Sequence, residues 1–361
     1  EIEKNYGFSG KILDATINLS KKFKIRNLTA EINYDRVINN NRITALINKG
    51  NLFELDLSNS TIYLNHDKNN AEIQTSLHTK GKILFPEIKK ISTLIGLRVN
   101  SFKNIEAIGN LQTDINFNLD KKFKVNNLSL QTEGKVDFLK IQFEKNKRLK
   151  KYLTNYDSQI VFKKTNIKFI KSEFNQKTEL DGLIKIGNKF DNFMLSGKYN
   201  YKKKKFNVIG DIDLTNSDIM ISQLNYKKNY GKKASVNFDF NFILDKNYNI
   251  NNLIFLSEQN RISCSNLKLN KKFEVDNFEK VKIKTFANKI KNNDFSINKL
   301  EKTIVSGRIF DAQDMLKSLY KESDKKIFSK NFNSEIKINF EKIFTGTGDN
   351  VYDFSMIGLI N

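Results

Sequence analysis

Apolar and polar residues alternate with a period of two along most of the chain. Val236-Asn-Phe238-Asp-Phe240-Asn-Phe242 is the cleanest stretch, and Leu244 continues it. Ile115-Asn-Phe117-Asn-Leu119, Leu52-Phe-Glu-Leu55-Asp-Leu57, Val281-Lys-Ile283 and Ile336-Lys-Ile338-Asn-Phe340 follow the same rule. Successive side chains of a strand point to opposite faces, so each stretch predicts a strand with one apolar face and one Lys/Asn/Asp face. Such strands build antiparallel sheet. The single proline, Pro86, stands outside these runs, as expected of a residue that cannot donate to a sheet ladder.

A twelve-residue string recurs within this pattern. Ile17-Asn-Leu19-Ser-Lys-Lys-Phe23-Lys-Ile25-Arg-Asn27-Leu28 returns in altered form at 117–128, 242–253 and 267–278. Each copy predicts a strand ending at Leu19, Leu119, Leu244 or Leu269, a polar turn of three residues, and a second strand opening at Phe23, Phe123, Tyr248 or Phe273. The turn opens with Ser, Asp or Asn, whose side chain can bond the turn backbone. Inside the second strand the apolar phase slips by one residue, at Asn27, Asn127, Asn252 and Asn277. A slip would turn the apolar set to the wrong face unless a bulge absorbs it, so a bulge is expected at each copy.

Helical spacing is rare. Pro86 opens a helix expected over about 86–97. Asp311 is the expected N-cap of a second, at 311–322, with Asp314 three residues on. A short helix is also expected at 144–153. No Gly/Pro/Ser-rich linker divides the chain, so no internal boundary is predicted.

Composition removes more functions than it adds. The chain has 361 residues, 39% hydrophobic with 29 Phe, enough for a substantial core. Its one cysteine, Cys264, excludes a disulfide framework and a cysteine zinc site, and reads as a packed thiol. Two histidines, His66 and His78, leave little for metal or acid–base work. Asp211-Ile-Asp213 lacks the glycine and distal Glu of a calcium loop, and Gly346-Thr-Gly348-Asp349 lacks the Lys-Ser/Thr of a phosphate loop. No catalytic residue, metal site or cofactor is expected, and the chain reads as a non-enzyme. The net charge of +22 comes overwhelmingly from lysine interleaved with acids, which reads as solvated strand faces; no nucleic-acid partner is expected. No apolar run reaches the ~18 residues of a membrane helix, and no signal peptide is visible. The chain begins at Glu1 and ends in a strand-like stretch, which reads as a segment of something longer, anchored elsewhere.

The recurring strand, polar turn and Phe-x-Ile/Val-x-Asn-Leu resembles the AsmA-like superfamily of Gram-negative envelope proteins, in its YhdP/TamB branch. The strongest stretch is Thr303-Ile-Val-Ser-Gly307-Arg-Ile-Phe310-Asp311-Ala312-Gln-Asp-Met315-Leu316, which is similar to a strand–Gly–strand–Phe-Asp-Ala–helix element of YhdP-like central regions. The strands at 338–360 and the segment from Pro86 through Gly109 are similar as well. The resemblance implies an all-β fold with a few short helices, an elongated, twisted antiparallel sheet curled into a hydrophobic groove. It implies a periplasmic, inner-membrane-anchored protein that conducts phospholipid or another acyl-chain lipid between inner and outer membrane and so serves outer-membrane biogenesis. The chain is then one part, 1–361, of a longer repeating groove, joined to both membranes by regions outside it. The expected lining is Ile17, Leu19, Phe23 and Ile25 in the first repeat and Ile115, Phe117, Leu119, Phe123 and Val125 in the second. Val236, Phe238, Phe240, Phe242 and Leu244 follow in the third, with Ile336, Ile338 and Phe340 near the end. An outer-membrane β-barrel and a structural or adhesive β-protein with a dry core fit the alternation too. Absent tryptophan and two embedded amphipathic helices weigh against the barrel.

Overall fold

A computed structural model describes the chain apart from positions 1–4, 21–22, 38–39, 68, 95–98, 100–101, 123, 145–146, 244–245, 320–327, 330–331, 347, 349 and 361. Phe123 and Leu244 thus lie outside the described residues, as does the side chain of Leu19. The described residues form an all-β chain with three short α-helices. It divides into two compact units, 1–144 with 158–184 and 145–157 with 185–361.

The first unit begins with β1 (Tyr6–Ser20), β2 (Phe23–Val37), β3 (Asn40–Leu52), β4 (Leu55–Leu57), β5 (Ser60–His66) and β6 (Ala71–Leu84). Helix α1 (Phe85–Leu94) follows, then β7 (Asn104–Leu119), β8 (Val125–Gln142), β9 (Gln159–Lys171) and most of β10 (Asn175–Lys185). Each long strand pairs antiparallel with the next. β4 and β5 act as one interrupted strand between β3 and β6. The stretch 52–57, expected as a single strand, is broken because Leu52 pairs with Leu55 across a turn at Phe53-Glu54, with φ of 59° at Phe53. The Phe53 ring leaves the alternation to meet Phe23 edge-on at 5.8 Å. Ile25, Leu28, Ala30, Ile47 and Leu57 form the buried core of this sheet's apolar face, flanked by Ile12, Ile17, Leu52 and Ile62.

The second unit starts with α2 (Lys147–Tyr152) and continues with β11 (Asp191–Asn200), β12 (Lys205–Asp213), β13 (Ile219–Ile221) and β14 (Tyr226–Lys228). Next come β15 (Ser235–Ile243), β16 (Asn247–Ser257), β17 (Asn260–Asn270), β18 (Val275–Asn277), β19 (Lys280–Ala287) and β20 (Ile290–Lys299). β21 (Thr303–Asp311), α3 (Gln313–Leu319), β22 (Ser334–Phe344) and β23 (Asn350–Ile360) complete it. The main sheet runs β11-β12-β15-β16-β17-β19-β20-β21-β22-β23. Every described pair in it is antiparallel except β21–β22, whose crossover carries α3. A parallel pair needs such a crossover, whereas a tight turn serves an antiparallel one. Gly307 is required in β21, because a Cβ there would stand 2.3 Å from Phe295 Cβ.

Residues 214–234 leave the sheet between β12 and β15 and return over its apolar face as a small lobe containing β13 and β14. Its Leu214, Ile219, Leu224 and Tyr226, with Ala234, pack on Phe255, Ile283, Phe295 and Phe340 of the sheet. Leu153, just after α2, bridges to Ile219. A buried polar network fastens the lobe. Asn293, wholly buried, donates to the Leu224 carbonyl at 2.7 Å and to Thr285 Oγ1 at 2.8 Å. Asn225 donates to Asp311 Oδ2 at 2.8 Å, and the Asp311 amide donates to Asn293 Oδ1 at 3.0 Å. Asp311 also accepts from the Gln313 amide at 3.2 Å, at the start of α3.

Candidate functional site

Cross-strand register places the apolar residues of the second unit in parallel rows. One row runs Phe193–Ile212–Val236–Phe255–Ile262–Ile283–Phe295. From Ile212 to Phe295 it lies beneath the lobe, and Phe193, Phe255, Ile283 and Phe295 are all buried. The next row runs Leu195–Gly210–Phe238–Leu253–Cys264–Val281–Ile297. A third follows as Gly197–Val208–Phe240–Ile250–Leu267. Beyond it an aromatic row, Tyr199–Phe206–Phe242–Tyr248, stacks across four strands with centroids 4.0, 4.8 and 5.9 Å apart.

Cover fades along these rows. Phe238, Phe240, Phe242, Val208, Ile250 and Leu253 are half-buried, and none belongs to the core beneath the lobe. A Cβ added at Gly197 would meet no heavy atom within 4 Å, so the space above the third row is open there. Phe238 and Leu195 instead lean over Gly210, where a Cβ would meet them at 2.4 and 2.6 Å. Phe238 stacks on Phe240 with centroids 4.5 Å apart. Cys264 is half-buried in this face, and burial pushes its thiol up to about 11, so it is protonated at neutral pH. The opposite face of β15 and β16 is polar: Asn241 donates to Asn251 at 2.7 Å and accepts from Asn249 at 3.2 Å.

The other expected lining residues occupy different surroundings. Phe23, Ile25 and Phe340 are sealed by protein, at 9%, 6% and 5% exposure, so they are core rather than accessible lining. Ile17, Ile115, Phe117, Leu119, Ile336 and Ile338 are half-buried on apolar faces. Val125 opens β8 opposite Leu119 and is 48% exposed. Phe273 opens no strand: it sits in the turn before β18 with φ of 61° and stacks on Tyr248 at 4.6 Å. The strand starts later because Asn270 Oδ1 caps the turn by accepting from the Lys272 and Glu274 amides. Leu195, Phe206 and Val208 belong to the open face although no motif marks them, and their alternation is the only signal; Ile250 and Leu253 join them from the repeat copy at 242–253.

The remaining chemical candidates do not converge. His66 pairs with Ala71 and His78 with Gln112, so they stand far apart along β5 and β6, and His78 bonds Asn110 at 2.8 Å. Asp213 caps its own turn through the Thr215 amide. Among the described residues no cluster of His, Cys, Asp or Glu could hold a metal, and no helix is long and apolar enough to cross a membrane. Concavities of about 760 and 530 Å3, one in each unit, are lined mainly by polar residues; of the apolar rows only Ile283 and Phe295 border the larger one. Comparison with protein-family models, with characterised proteins and with solved structures finds no match to this chain.

Proposed function

We propose that the chain binds acyl-chain lipid on the apolar face of its second unit, as a non-enzymatic segment of an envelope lipid conduit. One observation carries the reading: the apolar face runs on past the lobe, and Phe238, Phe240 and Phe242 lack the cover that buries Phe255 and Phe295. An acyl chain laid there gains ~0.8 kcal/mol per buried methylene, so a few contacts per row suffice to hold it. The aromatic row offers it a smooth, non-polar path across strands. The resemblance to AsmA-like proteins supports phospholipid as the occupant, a periplasmic setting, and attachment to inner and outer membrane through regions outside this segment.

The sealing of the neighbouring row by the lobe favours the competing reading, a structural protein with a dry core. Photo-crosslinking residues placed one at a time at 238, 239, 240, 241 and 242 separate the two. Capture of phospholipid at 238, 240 and 242, but not at 239 and 241, is expected. Capture at neither parity, or at both alike, would leave the dry-core protein.

A further inference from the structure

The polar face of β17, β19, β20 and β21 holds a second candidate site, on the side opposite the apolar rows. Lys280, Lys282 and Lys284 alternate with Val281 and Ile283 and share this face. Arg261 pairs with Lys284 across the β17–β19 ladder, and Arg308 enters from β21. Together these five cations line the concavity of about 760 Å3. Two of the chain's seven arginines meet here, although lysine supplies nearly all its positive charge.

Elsewhere in the chain lysines find carboxylates: Lys11 meets Glu31 at 3.0 Å and Lys82 meets Glu106 at 2.8 Å on neighbouring strands, and Lys302, in the turn before β21, meets Glu335 at 2.8 Å. Here hydroxyls flank Lys282, and Lys284 alone of the three lysines faces an acid, Asp294, across the β19–β20 ladder. Lys282 lies between Ser263 and Ser296, and Ser306 follows on β21. The one acid in the lining, Asp294, is taken by Lys291 at 2.8 Å. Five like charges in one concavity repel, and an anion relieves that repulsion. Guanidinium forks and serine hydroxyls suit phosphate oxygens, and the volume is that of a small-ligand site.

We propose that this concavity binds a phosphate-bearing anion of several charges, either a phospholipid headgroup or a soluble polyphosphate. It lies on the face opposite the acyl-chain surface, so the two readings stand or fall separately.

The test uses the full chain and two triple variants. One removes site charges (Arg261→Gln, Lys282→Ser, Arg308→Gln), all on exposed side chains. The other removes equal charge from the turn before β8 (Lys121→Gln, Lys122→Gln, Lys124→Gln). Titration calorimetry with tripolyphosphate should show the site variant about tenfold or more weaker and the turn variant less than about twofold weaker. Thermal unfolding verifies that each variant folds, and the single Lys282→Ser change, expected to weaken binding severalfold, serves if the triple variant does not. Co-sedimentation with phosphatidylcholine vesicles, with and without phosphatidylglycerol, separates the sources. Capture only with phosphatidylglycerol, lost in the site variant, identifies a headgroup; tripolyphosphate binding without vesicle capture identifies a soluble ligand. Equal weakening in both triple variants, or no tripolyphosphate binding by the unaltered chain, would overturn the site and leave only diffuse charge.

Discussion

Lys228 is buried at 3% exposure, and three backbone carbonyls surround its ammonium. Nζ donates to those of Leu214, Thr215 and Ser217, the latter two at 2.7 Å each. All three of its protons are used, so the loop that begins the lobe is wound around one charge. Burial pulls the ammonium below its usual range, while Asp191, Asp218 and Asp213 oppose that shift. Lys228→Met removes the shared donor and should cost about 3 kcal/mol in urea unfolding. With the folded group lowered, the unfolded chain holds more protons just below the ordinary lysine range. The native protein should therefore gain stability as pH rises through that window, a slope the Met variant lacks. The run Lys227-Lys228-Asn-Tyr-Gly-Lys-Lys233 reads as solvated charge, and only the fold singles out one lysine in it. Cys264, by contrast, was legible as a packed thiol from its strand context alone.

At the scale of elements the repeated hairpin shows how local rules carry through. Register slips accompany all four copies, at 26–29, 126–129, 250–252 and 275–277. The expected capping also appears: Asp120 Oδ1 accepts from the Lys122 and Lys124 amides at 2.9 Å. The backbone device differs between copies. Asn27 and Asn127 are left-handed, with φ of 51° and 53°, whereas Asn252 and Asn277 are not. A β-branched residue is disfavoured only in the left-handed copies. Asn127→Val should therefore cost about 1–2 kcal/mol, and Asn252→Val under about 0.5. Chemical denaturation of both variants checks this, and equal costs would remove the distinction.

At the scale of the whole molecule the question is which apolar surface meets protein. Phe340 lies under the lobe and Phe240 beyond it, although both alternate in the same way along their strands. Phe340→Ala leaves a closed cavity and should cost about 3–5 kcal/mol. Phe240→Ala, on a half-open face, should cost about 1–2 kcal/mol by lost burial alone. Equal costs would mean that the face beyond the lobe is as tightly packed as the core. The contrast rests on contacts between 214–234 and strands up to Phe340, more than a hundred residues apart in sequence.

Strands, their two-faced character, the hairpins, the bulges and the three helices were determined by the sequence alone, because each rests on residues a few positions apart. A period of two states which way a side chain points. It does not state what lies across from that face, so the cover over Phe255 and Phe295, and the open rows at Phe238–Phe242, come from tertiary structure. The parallel β21–β22 pair, the division into two units, and the meeting of Arg261 with Lys284 depend likewise on which distant strands become neighbours. That choice is made by the summed burial of long-range contacts, which no short window of the chain records.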